Sequence, residues 1–181
     1  MRCGATSLAA GIAAAILAVG VGCGEGSEPI DPLDPELVRE LALAQGSASG
    51  DAHAGSYQLQ LEVDHCDCPS VSYEGQTIDL CTISSADALT TELSQGSGVL
   101  AISTAIGLFT GAIETNDSFV VAGITDLSTL AGPLESLRRM DGQFSGDGDS
   151  AEGWAGQRLL GELADQSIDC RWIGSFALTR N

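Results

Sequence analysis

Residues 57–64 alternate strictly: Tyr57, Leu59, Leu61 and Val63 are apolar, while Gln58, Gln60, Glu62 and Asp64 are polar or charged. A period of two sends successive side chains to opposite faces, so the segment predicts a strand with one buried and one solvated face. Such a strand needs partners that share its core face. The rest of the chain offers them near 89–95, 98–104, 107–114, 118–125, 134–145, 154–165 and 170–179. Turn-forming residues separate several of these segments, as at Ser97-Gly98, Asn116-Asp117 and Gly146-Asp147-Gly148-Asp149. Short connections favour antiparallel pairing of neighbours. With the strand at 56–64 the count is eight, enough to close a small barrel and remove the exposed edges. The predicted fold is all-β: an antiparallel up-and-down (meander) β-barrel of about eight strands over residues 55–181.

The last strand repeats the logic of the first. Trp172, Phe176 and Leu178 share one face with Gly174 between them, and Arg171, Ser175 and Thr179 share the other. Closure would pair it antiparallel with the first strand, bringing Cys66 and Cys68 beside Cys170. Residues 65–84 read as a long loop that also holds Cys81. Four cysteines in an exported domain read as two disulfides. A Cys66–Cys68 bond would close a strained one-residue loop. Two pairings remain open: Cys66–Cys81 with Cys68–Cys170, or Cys66–Cys170 with Cys68–Cys81.

Export is read from the first residues. Met1-Arg2 is followed by an uncharged run, Leu8 to Gly22, which is short of the ~20 apolar residues a spanning helix needs. Small residues Gly20, Val21 and Gly22 lead to Cys23. This segment resembles the lipobox of bacterial lipoproteins, in which the cysteine is lipidated and becomes the new N-terminus. The usual Leu three residues before the cysteine is replaced by Gly20. The resemblance implies a signal peptide over 1–22, a lipidated N-terminus and linker over 23–54, a membrane anchor at Cys23, and residence in the cell envelope at the outer membrane or extracellular face. Between 24 and 54 the chain reads as a flexible tether interrupted by one short helix, with Asp34 as N-cap, Pro35 at the first helical position and Leu37, Val38 and Leu41 on one face.

The barrel domain is similar in architecture to the lipocalin and avidin (calycin) group of meander barrels. Gly55-Ser56-Tyr57 stands where lipocalins open their first strand with Gly-x-Trp, with Tyr for Trp. Arg180 ends the last strand, where the resemblance implies an arginine packed across that aromatic.

The whole chain carries a formal charge of −18, and all seven basic residues are Arg. This acidity argues against nucleic acid and anionic lipid headgroups as partners. Motifs with the residue types of chemical sites have simpler readings. His65-Cys66-Asp67-Cys68 with Cys81 has the residue types of a zinc site, but an oxidising compartment favours disulfides. Gly96-Ser97-Gly98-Val99-Leu100-Ala101 has the letters of a dinucleotide turn without its βαβ context. Asp147-Gly148-Asp149 lacks the spacing of an EF-hand, and Asn116-Asp117-Ser118 reads as a turn and not a glycosylation site. The apolar run 98–113 is too short and too interrupted to span a membrane, so it reads as a buried hairpin. Arg138 and Arg139 fall on opposite strand faces, and the lumen-facing one would need a carboxylate partner. His53, in the tether, and His65, at a strand end, read as solvated. No catalytic constellation emerges and no cofactor is implied. The expectation is a non-enzymatic binding module of the envelope, taking a small apolar ligand or a protein partner. The alternatives are a structural or interaction protein with a packed barrel, and, further off, a metal- or carboxylate-dependent enzyme.

Overall fold

A computed structural model of the chain describes residues 31–81, 88–128 and 132–181. The signal segment and Cys23 lie outside the described residues. Eight strands close one antiparallel barrel: β1 (Gly55–Cys66), β4 (Leu89–Gly96), β5 (Val99–Thr104), β6 (Gly107–Ile113), β7 (Ser118–Asp126), β8 (Leu134–Phe144), β9 (Ser150–Leu163) and β10 (Gln166–Arg180). Sequence neighbours pair around the barrel. β1 closes the ring by pairing with β10 on one side and, from Gly55 to Leu59, with β4 on the other. The expected meander is therefore the observed one, and the run 98–113 is the expected buried hairpin, β5–β6.

The alternation is realised on the inner face. Tyr57, Leu59, Leu100, Phe119, Met140 and Phe176 are among the buried residues that fill the barrel. Glycines make room where large inward residues crowd. A Cβ on Gly142 would lie 2.5 Å from the Phe176 ring and 2.7 Å from that of Phe119, so this position accepts no side chain without displacing an aromatic.

Two boundaries differ from the sequence reading. β9 begins at Ser150 and β10 at Gln166, so the connection is the two-residue turn Ala164-Asp165 and not a loop after 165. Both turn residues have positive φ, 52° and 62°, the geometry that matches strand twist but is usually marked by Gly or Asn. The loop 65–84 contains a second small sheet, β2 (Ser70–Tyr73) and β3 (Gln76–Asp79), turned by Glu74-Gly75.

Residues 31–54 are not a free tether. α1 (Pro35–Ala42) starts at Asp34, whose carboxylate accepts from the amides of Glu36 and Leu37. It buries Val38 against Ala122 and Leu137 on the outer face of β7 and β8. Leu33 is also fully buried. The chain then crosses one barrel end. Gly46 donates to the Gly98 carbonyl and Ala48 to that of Ile113, and Ala48 packs onto the interior cluster. A Cβ on Gly46 would meet the Ile113 oxygen at 2.2 Å, so only glycine allows this approach.

Candidate functional site

The two ends of the barrel are built differently. At the proximal end, where β1 begins and β10 finishes, the interior is sealed. His53, 4% exposed, stacks on Phe144 at 3.9 Å between ring centroids, and its Nε2 lies 3.0 Å from Asp117. It is thus a plug residue, not a solvated one; nothing around His53 in the sequence marks Phe144, 91 residues on, as the ring it covers. Arg180 lies across Tyr57, 5.0 Å from the ring centre. It donates to the carbonyls of Ala52 at 3.0 Å and Ala54 at 3.3 Å. The Tyr57 hydroxyl donates to Gly148 at 3.0 Å, and burial raises the pKa of this phenol above its ordinary value. The Nε of Arg180 is 3.3 Å from Asp149 but not aligned for a hydrogen bond.

At the distal end, β9 and β10 run on past β1 and β8 to the Ala164-Asp165 turn. Leu159, Leu163 and Ile168 of these strands, with Leu134 of β8, pack beneath Val71 and Leu80 of the β2–β3 segment. Two disulfides fasten this cover: Cys66–Cys81 and Cys68–Cys170. This is the first of the two pairings left open by spacing, and it staples the β1–β10 seam. A bulge in β1 between Val63 and His65 makes it possible. Strict alternation would put Cys66 outward with Glu62 and Asp64; the extra residue sets it opposite the inward Trp172. His65 is left exposed on the outer face.

Between the main core and the distal core lies a more polar layer, made by inward positions of facing strands. Ser136 and Arg138 come from β8, and Gln157 from β9 opposite Arg138. Trp172 Nε1 donates to Gln157 at 3.1 Å. Arg138 is 6% exposed. Its Nε donates to Ser136 Oγ at 2.9 Å, while its buried Nη1 has no partner. Its guanidinium carbon is 5.6 Å from the centre of the Phe109 ring. Burial lowers its pKa from the ordinary arginine value. The carboxylate partner expected for the lumen-facing arginine is thus missing among the described residues. Arg139 points outward, as expected of one of the two, and is held bidentately by Asp141.

Beside Arg138 the interior keeps a small cavity bounded by Leu59, Leu61, Phe109, Met140 and Trp172, with Ile106 of the β5–β6 turn, 39% exposed, at its lip. Its volume is about 10 Å3, room for one water. A much larger groove runs over the outer faces of β1, β10 and β9 past Gln60, Glu62, Glu152 and Ser175. It is open, its lining mixes apolar and polar surface, and among the described residues no unpartnered buried side-chain atom faces it.

The remaining sequence motifs resolve into turns. Ser97-Gly98 is the β4–β5 hairpin turn, with φ of 51° and 78°. Asn116 and Asp117 turn β6 into β7. Asp147 accepts from Ser145 Oγ and the Asp149 amide, which lowers its pKa. The cysteines of the zinc-like cluster are consumed as disulfides, and Asp67 beside them accepts from the Arg171 amide at 2.6 Å.

Fold and site together define a closed eight-strand meander barrel with one end plugged and the other covered by a disulfide-fastened hairpin. No protein-family model matches the chain, and no curated protein sequence matches it.

Proposed function

We propose that this protein is an exported, non-enzymatic binding module, anchored to the cell envelope through lipid on Cys23, whose barrel receives a small, largely apolar ligand at the distal end. The observation that carries the ligand reading is the asymmetry of the ends. The proximal end is stoppered by His53, Ala48 and the Arg180–Tyr57 stack, while the residual interior space and the unpartnered Nη1 of Arg138 lie towards the covered end; the other unpartnered buried side-chain atoms among the described residues, His53 Nδ1 and Arg180 Nε, belong to the stopper itself. The Arg180–Tyr57 stack also supports the lipocalin-like reading, since it is the contact that resemblance implies. Both histidines lack the setting of a catalytic base: one is a plug and the other an exposed strand end.

One observation favours the alternative of a packed interaction protein. A cavity of one water holds no ligand unless Leu61, Phe109 or Trp172 moves. Titration of the oxidised protein with the neutral apolar fluorophore N-phenylnaphthylamine separates the two. Saturable one-to-one binding with energy transfer from tryptophan is expected. Absence of saturable binding would leave the packed-barrel reading in place. The anchor is tested independently by mass spectrometry of the mature N-terminus, with acyl chains expected on Cys23 and an unmodified terminus elsewhere refuting it.

A further inference from the structure

Arg138 is the feature that the packing of the barrel does not account for. A guanidinium withdrawn from water loses its hydration, and an interior arginine normally recovers that loss through a carboxylate with good geometry. Here one hydroxyl, that of Ser136, takes one of the five N–H donors, and the buried Nη1 is left without a partner. The surroundings are not those of a general polar site. Phe109, Met140, Leu61 and Trp172 bound the adjoining space. The other nearby donor, Trp172 Nε1, is already committed to Gln157. The space therefore offers one strong, desolvated, positively charged donor set against an apolar wall.

The donor set also lies close beneath one point of the barrel wall. A Cβ built on Gly107 would lie 3.5 Å and 3.6 Å from the two terminal nitrogens of Arg138 and 2.9 Å from Thr125 Oγ1. The head of the arginine thus sits directly under the start of β6, next to the β5–β6 turn that carries the partly exposed Ile106. Glycine at this point keeps the approach to the guanidinium free of a side chain.

We propose that Arg138 binds the carboxylate of a small amphipathic monoanion, a medium-chain fatty acid in chemical class, whose apolar part takes the space that Leu61, Phe109 and Trp172 open by moving apart, up to the lip at Ile106. This rests on the reading of the distal end as a ligand site and assigns its charge specificity. A guanidinium donates bidentately to a carboxylate and needs no proton transfer. The burial that makes the unpaired cation unfavourable strengthens its attraction for an anion. One negative charge matches one positive charge, so a monoanion is favoured over a dianion.

The test uses the full-length, disulfide-intact protein with octanoate, octanol and formate as calorimetric probes, on wild type, Arg138→Gln and Arg138→Lys. Octanoate is expected to bind one-to-one, at least tenfold more tightly than octanol or formate. Arg138→Gln should lose that preference while still binding octanol, and Arg138→Lys should keep part of it. Octanol binding as tightly as octanoate would overturn the carboxylate assignment and leave the distal ligand site standing. Formate equalling octanoate would overturn the amphipathic assignment. Absence of binding by all three probes would overturn both this assignment and the ligand site beneath it. Circular dichroism and melting of each variant show whether a loss reflects unfolding, and the retained charge in Arg138→Lys provides a second, milder variant.

Discussion

Two arginines, one towards each end of the barrel, are held in opposite ways. Arg138 has a hydroxyl partner and no carboxylate. Replacing a buried, uncompensated charge by an apolar side chain of similar length is commonly neutral or stabilising. Arg138→Met should therefore melt at or above the wild-type temperature in the absence of ligand, each kcal/mol gained adding about 2–4 °C. A clear fall in melting temperature would mean that Arg138 serves the fold itself. Arg180→Ala makes the opposite forecast. Its guanidinium serves the carbonyls of Ala52, Ala54 and Gly148 and covers Tyr57. Truncation should cost roughly 1–3 kcal/mol by leaving those acceptors unsatisfied, readable as a lower midpoint in urea.

Among the elements, the N-terminal strap departs most from its composition. Its Gly, Ser, Pro and acidic residues read as spacer, yet α1 and Leu33 dock on the barrel and residues 46–53 stopper it. Leu33→Ala should cost roughly 2 kcal/mol or more, as burial-lined Leu truncations do, and deletion through Ala54 should expose the Phe144 end and lower the melting point. The strap is also tied electrostatically. Asp31 meets Arg158 at 3.3 Å and Arg171 at 3.1 Å, and Arg158 grips Asp169 bidentately at 2.7 and 2.8 Å. The hydrogen bonds from Arg158 hold the Asp169 carboxyl below its ordinary pKa of 3.8. A depressed folded-state pKa contributes stability that is complete above the unfolded pKa and is lost as pH falls through the folded one. Stability should therefore decline below about pH 4 in wild type and less steeply in Asp169→Asn. The group is largely solvated, so the effect is small and should shrink further in high salt.

At the scale of the whole molecule, the barrel is closed through hydrogen bonds and then locked by covalent bonds. Cys68 and Cys170 are separated by 102 residues, and Cys66 and Cys81 by 15. In a chain-entropy treatment the long loop contributes up to about 4–5 kcal/mol and the short one about 3. Against a typical net stability of ~5–15 kcal/mol, Cys170→Ser should lower the melting point strongly and loosen the distal cover. Cys81→Ser should cost less. Thiol titration of the unfolded, unreduced protein checks the pairing: the four barrel-domain cysteines should yield no free thiol, and four free thiols would remove both staples.

How much of this was legible in the sequence follows from the range of the forces involved. Alternation at Tyr57–Asp64 and the inward set Trp172, Phe176 and Leu178 specified strand faces, because a side chain's face depends only on the parity of its position. Short turns then specified antiparallel neighbours, and eight strands specified closure. The Ala164-Asp165 turn was not legible, since its residues lack the usual glycine mark. The cysteine pairing was not legible either, because a one-residue bulge beyond Val63 reverses the parity at Cys66, and local composition does not encode a bulge. His53 and Arg138 were visible as residues but not as a plug and an unpartnered cation. Their states depend on Phe144, 91 residues from His53, and on Gln157 and Phe109, 19 and 29 residues from Arg138, brought close only when the barrel closes. Sequence alone thus determined which faces are buried and in what order the strands lie. Tertiary structure alone decided which end is sealed and which buried charge is left without a partner, because burial and pairing are properties of neighbours in space.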